Sequence, residues 1–244
     1  MRIKCIGCEA LARLIYYEAS FSPHIIDIEI VKLGLHADPG GLRGILQAKI
    51  DAVRLADYDA VVLGYGLCGK ATYGLIAREI PLVIAKAHDC ITLFLGSRAR
   101  YTDQFENHPG TYWYALDYLQ KNTDPGTTLS LGAAEMGNDL KATYQSYVEK
   151  YGEDNAEYLM SVMGAWQAHY QRAVYIDMGV GDGTGVEGQA KADSERRGWG
   201  FERLSGDRRL VHQLLFGEWG NDFLVLRPGE SITMRYDNEV IGAE

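Results

Sequence analysis

Four cysteines lie in this 244-residue chain, in three blocks whose neighbours could also do chemistry. Cys5-Ile6-Gly7-Cys8 opens the chain, Cys68 sits in Gly64-Tyr65-Gly66-Leu67-Cys68-Gly69, and Cys90 ends Lys86-Ala87-His88-Asp89-Cys90. Thiolates are soft ligands that select zinc, copper(I) or iron–sulfur clusters. The first pair has the spacing of a metal hairpin, but no second C-x-x-C follows, so a closed four-cysteine zinc site is not indicated. Cys68 and Cys90 make the strongest pair, with either Cys5 or Cys8 as third ligand. The plainer reading is that each is a small hydrophobe in an apolar core. Against it stands the company of glycine, histidine and aspartate where strands should end.

His88 and Asp89 read as a general acid/base with its orienting carboxylate, as a ligand with its partner, or as a helix cap with its neighbour. Arg98, Arg100 and Tyr101 follow, placed to hold a substrate carboxylate or to form a solvated helix end. The glycine block lacks the order of a dinucleotide fingerprint and the Lys-Ser/Thr of a phosphate loop. Gly64, Gly66 and Gly69, with Tyr65 between them, instead read as letting backbone approach a bulky cofactor or cluster. A second glycine turn, Gly181-Asp182-Gly183-Thr184-Gly185, is phosphate-like in outline, but Asp182 would repel an anion.

The elements that must position these residues alternate. Strands are predicted at Arg2–Ile6, Ile25–Leu33, Ala60–Leu63 and Pro81–Ala85, and helices at Glu9–Ala19 and from Asp38-Pro39 to Leu55. A further helical pattern (Tyr73, Leu75, Ile76, Ala77) follows the glycine block, giving βαβαβαβ. The third and fourth runs are apolar on both parities, as strands covered on two faces should be. Cys68 and Cys90 then fall past strand carboxyl ends, the edge where open α/β sheets bind ligands. A strand order 2-1-3-4 would place Cys5, Cys68 and Cys90 on one edge, with sulfurs within about 7 Å, since parallel neighbours lie about 5 Å apart.

Beyond Cys90 a helix is expected over Ile91–Arg100, then an aromatic tract from Phe105 to Tyr118, a loop over Asn122–Gly137 and helices at Asp139–Tyr151 and Asn155–Tyr170. Strands at Ala173–Met178, Gly200–Leu204 and Asp222–Leu226 alternate with helices at Gln189–Arg197 and Asp207–Phe216. The fold class is α/β, a Rossmann-like parallel sheet with helices on both faces, read as two similar halves around a helical insertion. The divisions are 1–100 with the cysteines, a helical and aromatic segment at 101–171, and a C-terminal α/β half at 172–244.

A net charge of −9 argues against a general nucleic-acid binder, and no apolar run approaches a membrane span. The first residues form a strand rather than a signal peptide, so a cytoplasmic protein is expected, with thiols or metal ligands in place of disulfides.

Cys5, the Gly64–Gly69 block, His88-Asp89-Cys90-Ile91-Thr92-Leu93, Leu95-Gly96-Ser97 and Pro109-Gly110-Thr111-Tyr112 together resemble the domain-of-unknown-function family 1638. The resemblance implies three cysteine positions, with Cys5 favoured over Cys8, and an association with corrinoid-dependent methyl transfer in anaerobes and methanogens. Where the family has Arg-x-His-Asp-Cys this chain has Lys86, which keeps the charge but not a bidentate contact.

Two functions are expected. One is a metal-dependent enzyme (lyase, hydrolase or transferase) whose Cys5, Cys68 and Cys90 hold a [4Fe-4S] cluster with one open iron facing a small-molecule substrate. His88, Asp89, Lys86 and Arg98 then serve as its catalytic set. The other is an accessory module binding zinc or a corrinoid, its aromatic tract packed on the macrocycle, a corrinoid protein or a methyltransferase.

Overall fold

The computed structural model describes residues 1–35, 38–121, 148, 152–153 and 170–244. The strands are β1 (Arg2–Cys8), β2 (Ile25–Val31), β3 (Ala60–Gly64), β4 (Leu82–Ala85), β5 (Thr111–Ala115), β6 (Arg172–Asp177), β7 (Gly200–Ser205), β8 (Phe223–Leu226), β9 (Ile232–Met234) and β10 (Ile241–Ala243). The helices are α1 (Ala12–Ala19), α2 (Pro39–Asp51), α3 (Cys90–Leu95), α4 (Arg98–Asn107), α5 (Leu116–Lys121), α6 (Thr184–Arg197) and α7 (Arg209–Phe216).

The main sheet runs β2-β1-β3-β4-β8, the first four strands parallel and β8 antiparallel to β4. The expected order 2-1-3-4 is therefore present, in a Rossmann-like α/β fold. Both faces are apolar for the reason the sequence implies. Ile3, Cys5, Val62 and Val83 pack with α1 and α7, while Ile6, Val61, Leu63 and Leu82 pack with Leu42, Leu46 and Ile50 of α2. Gly7 and Gly64 are register partners, and both lie under the Ile15 side chain.

A second parallel sheet, β5-β6-β7, uses its alternation to serve two cores. Trp113, Ala115, Val174 and Ile176 join the core shared with α1 and α7, and Tyr112, Tyr114, Ala173 and Tyr175 face Val186 and Ala190 of α6. Asp193 of α6 accepts the Tyr114 hydroxyl proton at 2.6 Å and pairs with Arg196 and Arg197.

Several expectations change. No helix joins β3 to β4, because Cys68 (φ 46°), Gly69 (φ 62°), Lys70 (φ 77°) and Gly74 (φ 78°) are left-handed, which a right-handed helix cannot contain. The segment is instead laced to β9 by Ile232 N–H to Leu75 O (2.9 Å) and Ala77 N–H to Glu230 O (2.9 Å). The helix expected over Ile91–Arg100 breaks at left-handed Gly96, where a Cβ would sit 2.5 Å from Asp207 Cβ, and Ser97 caps α4. The aromatic tract contains β5, and β8 returns to the first sheet, so the sheets do not follow the divisions at 101–171 and 172–244. The β9–β10 hairpin was not read from sequence. The expected Asn122–Gly137 loop and the helices at 139–151 and 155–170 lie outside the described residues, apart from isolated positions. Among the described residues no helix is long and apolar enough to cross a membrane.

Buried Asp117 of α5 accepts the Arg13 N–H of α1 at 2.7 Å and pairs with the Arg13 guanidinium. It supplies from a distance the capping oxygen that Leu11, the residue before α1, lacks. Asp117→Ala should cost about 2 kcal/mol of stability, measured by urea unfolding, since it strips a buried partner from the start of α1.

Candidate metal centre

Cys8 is the last residue of β1, in extended conformation, and the Ala10 N–H of the following turn bonds its sulfur. Cys68 lies in the loop after β3. That loop continues the β3–β4 pairing past the strand ends, through Leu67 N–H to Ala87 O (2.8 Å) and Cys68 N–H to His88 O (2.9 Å). Gly66 makes the approach possible, because a Cβ there would lie 2.8 Å from Asp89 N and 2.9 Å from Ala87 O. The close contact is thus with the chain's own backbone rather than with a cofactor. Cys90 begins α3, and its N–H bonds the Cys68 sulfur.

Three thiols from the ends of three neighbouring strands, Cys8, Cys68 and Cys90, therefore lie within electrostatic reach of one another. Each is partly buried. Burial raises the Cys68 thiol, with the charges of Cys8 and Asp89 adding to it, and raises the Cys90 thiol, with Asp89, Cys68 and Cys8 adding to it. Burial also pushes Cys8 up to about 11, against the Ala10 N–H and Tyr65. At neutral pH all three are thiols, so a metal taken up here must displace their protons.

Cys5 is placed elsewhere. It is fully buried in mid-strand among Ile3, Val62 and Val83, and burial, eased only by Lys4, raises it to about 12. Two facts separate it from the others. It lies three residues before the end of β1, about 10 Å at strand rise, and its odd position faces the α1 side of the sheet. The structure thus places Cys8, rather than the family-favoured Cys5, toward Cys68 and Cys90. Position relative to the strand end was the signal that would have found it, had β1 been drawn to Cys8 instead of Ile6. Among the described residues no three His, Cys, Asp or Glu side chains stand together closely enough to hold a single metal ion as they are.

Tyr65 is 2% exposed, and its hydroxyl faces Cys8 within the electrostatic reach of Cys68 and Cys90. Asp89 turns its carboxylate to its own helix, accepting from Ile91 (3.0 Å) and Thr92 (3.3 Å), and takes the Tyr101 hydroxyl at 3.5 Å. It does not orient His88, which is exposed and stacked on Tyr101 at 5.1 Å between centroids. Burial and then the Arg98 charge hold His88 below the usual histidine range. Lys86 and Arg98 are engaged: both pair with Glu239 of the β9–β10 loop, and Arg98 also reaches Asp222 at 3.6 Å. Arg100 binds Ser205 O at 2.6 Å. Gly69 opens on free space, and the 181–185 turn is closed internally by Asp182 accepting from Thr184 N–H at 3.0 Å.

The doubly wound α/β sheet carries thiols, a histidine and two tyrosines near the carboxyl ends of its parallel strands, the edge where folds of this type bind ligands. The chain belongs to the family described as protein of unknown function (DUF1638), which matches residues 30–215. No curated protein and no solved structure matches it.

Burial, opposed by the two helix N–H groups and Tyr101, lifts Asp89 to about 6. The native state therefore holds a proton that the unfolded chain releases near 4, and stability falls as pH rises from about 4 through 6. Urea unfolding of the metal-free chain should show a loss on the order of 2 kcal/mol across that window. Asp89→Asn, which keeps the capping oxygen, should flatten it.

Proposed function

We propose that this is an iron–sulfur enzyme in which Cys8, Cys68 and Cys90 hold a [4Fe-4S] cluster beside a small-molecule substrate. The single observation behind the reading is that three partly buried thiols from three strand ends lie within electrostatic reach of one another. The residues fit such a group on two counts. The donors are soft, and backbone N–H groups of Ala10 and Cys90 already point at the sulfurs, which favours thiolates. A cluster with three protein ligands supplies one open iron as a Lewis acid.

The chain's own residues do the rest. His88, exposed and largely neutral at pH 7, can take or give a proton at the substrate, with Tyr101 fixing its ring plane. Lys86 and Arg98 act by positioning, since Glu239 holds both, and burial together with the Arg98 charge holds His88 below the usual histidine range. The reaction class is a lyase, hydrolase or transfer step, and a link to corrinoid-dependent methyl transfer and anaerobic one-carbon metabolism rests on the resemblance alone. The corrinoid module is the weaker reading. The aromatic tract assigned to a macrocycle is core, with Tyr112, Trp113, Tyr114 and Tyr118 all at most 8% exposed.

Anaerobically purified protein should be brown, absorbing broadly at about 400 nm. Cys8→Ala, Cys68→Ala and Cys90→Ala should each lower iron per chain at least about tenfold, while Cys5→Ala keeps it. A red-orange protein would point to a corrinoid, and a colourless one carrying zinc to a zinc site. Iron lost with Cys5→Ala but kept with Cys8→Ala would overturn this ligand set.

A further inference from the structure

Two cations at the carboxyl edge of the main sheet converge on one carboxylate. Lys86, the first residue after β4, donates from Nζ to Oε2 of Glu239, and Arg98, the first of α4, meets Oε1 with Nη1 at 3.3 Å. Each oxygen takes one cation, so the arrangement fits the shape of a carboxylate as well as its charge. The cations are held more firmly than the anion. The Lys86 and Arg98 side chains are 16% and 21% exposed, whereas Glu239 is 44% exposed and comes from the turn of the β9–β10 hairpin. Arg98 also reaches Asp222 at 3.6 Å, and Asp222 pairs with Arg209 at 2.7 Å, so three cations share two carboxylates. Removing Glu239 would leave two positive charges in excess, one of them the Arg98 charge that acts on His88.

Two features make Glu239 a removable occupant. An exposed ion pair contributes little, so a competing anion displaces it at small cost. The next residue, Val240, is 2% exposed with φ 66°, a left-handed backbone that a β-branched residue rarely adopts. Strain of this kind gathers at ligand clamps and switch regions, and opening the turn relieves it. Glu29 takes Lys4 and Lys49 in the same two-point fashion, but from within β2, where pairing to β1 keeps it in place. We infer that Lys86 and Arg98 form the seat for the carboxylate of a small-molecule ligand, and that Glu239 fills this seat until the ligand displaces it. The inference rests on the reading of this edge as the substrate side and adds the chemical class of the substrate; it does not depend on the cluster. In the empty chain the two cations hold the hairpin. In the bound chain they hold the ligand beside His88.

Propionate reproduces the end of the glutamate side chain and probes the wild-type protein directly. Amide hydrogen exchange of the full chain is read in sodium propionate and in sodium chloride at equal ionic strength, since salt alone weakens exposed ion pairs. The reporters are Arg235 N–H, bonded to Val240 O at 2.8 Å, and Ile241 N–H, bonded to Glu239 O at 2.7 Å. Propionate should speed both at least about threefold over chloride, as local opening of the hairpin requires. Glu239→Gln, which removes the competing charge, should bind propionate about tenfold more tightly by titration calorimetry, as for an occupant that fills the seat about nine-tenths of the time. Adding Arg98→Met to Glu239→Gln should abolish that binding. Equal exchange in the two salts would overturn the inference, as would an affinity no tighter in Glu239→Gln. Binding that survives the double substitution would overturn it too, because the anion would then sit elsewhere. Iron content is measured on the same samples to keep the two readings apart. Iron bound without a propionate effect overturns the seat and leaves the cluster standing, while a propionate effect in a chain that takes up no iron sinks the cluster and supports the seat.

Discussion

Two backbone hydrogen bonds beyond the ends of β3 and β4 govern the site. Leu67 and Cys68 donate to Ala87 and His88, extending a parallel ladder where the sheet would otherwise splay into loops. The extension demands a residue without a Cβ at Gly66, and it demands left-handed backbone at Cys68, where a side chain is strained. Strain of this kind persists only where surroundings over-determine it, and it gathers at sites of function. Those two bonds, with the Cys90 N–H to the Cys68 sulfur, fix Cys68 relative to Cys90.

From that ladder the remaining geometry follows. Cys90 must start α3 because Asp89 caps it, so the N–H of Cys90 is free to point back at Cys68. Cys8 arrives on the neighbouring strand, one residue past the Gly7–Gly64 register pair. Both glycines are crowded by Ile15, which seats α1 flush against the sheet. Site and core are therefore one piece of packing, and the thiols are held by backbone more than by side-chain contacts.

Much of this was legible in the residues. Apolar runs on both parities announced a sheet covered on two faces, and the strand order followed from placing strand ends together. The choice between Cys5 and Cys8 was not settled by pattern, since both lie within two residues of Gly7 and spacing alone does not say where a strand stops. The segment after Gly69 carried helical periodicity in Leu75, Ile76 and Ala77, but long-range pairing with Ile232 and Glu230 overrode it. Local pattern is blind to such partners. The same holds for Lys86 and Arg98, whose charges read as free for substrate until Glu239, far along the chain, was seen to hold them.

The way residues 222–241 close over this edge also sets an order of events in time. Asp222 O takes the Lys86 N–H at 2.8 Å, Ile232 ties down the loop after Cys68, and Glu239 fixes Lys86 and Arg98. A ribosome delivers Cys8, Cys68 and Cys90 long before it delivers these residues. During synthesis the three thiols are thus present but not yet framed, open to oxidation and to stray metals. The frame closes only when the last strands emerge, so the thiols reach their final setting after the C-terminal segment has been made rather than while the N-terminal sheet first assembles.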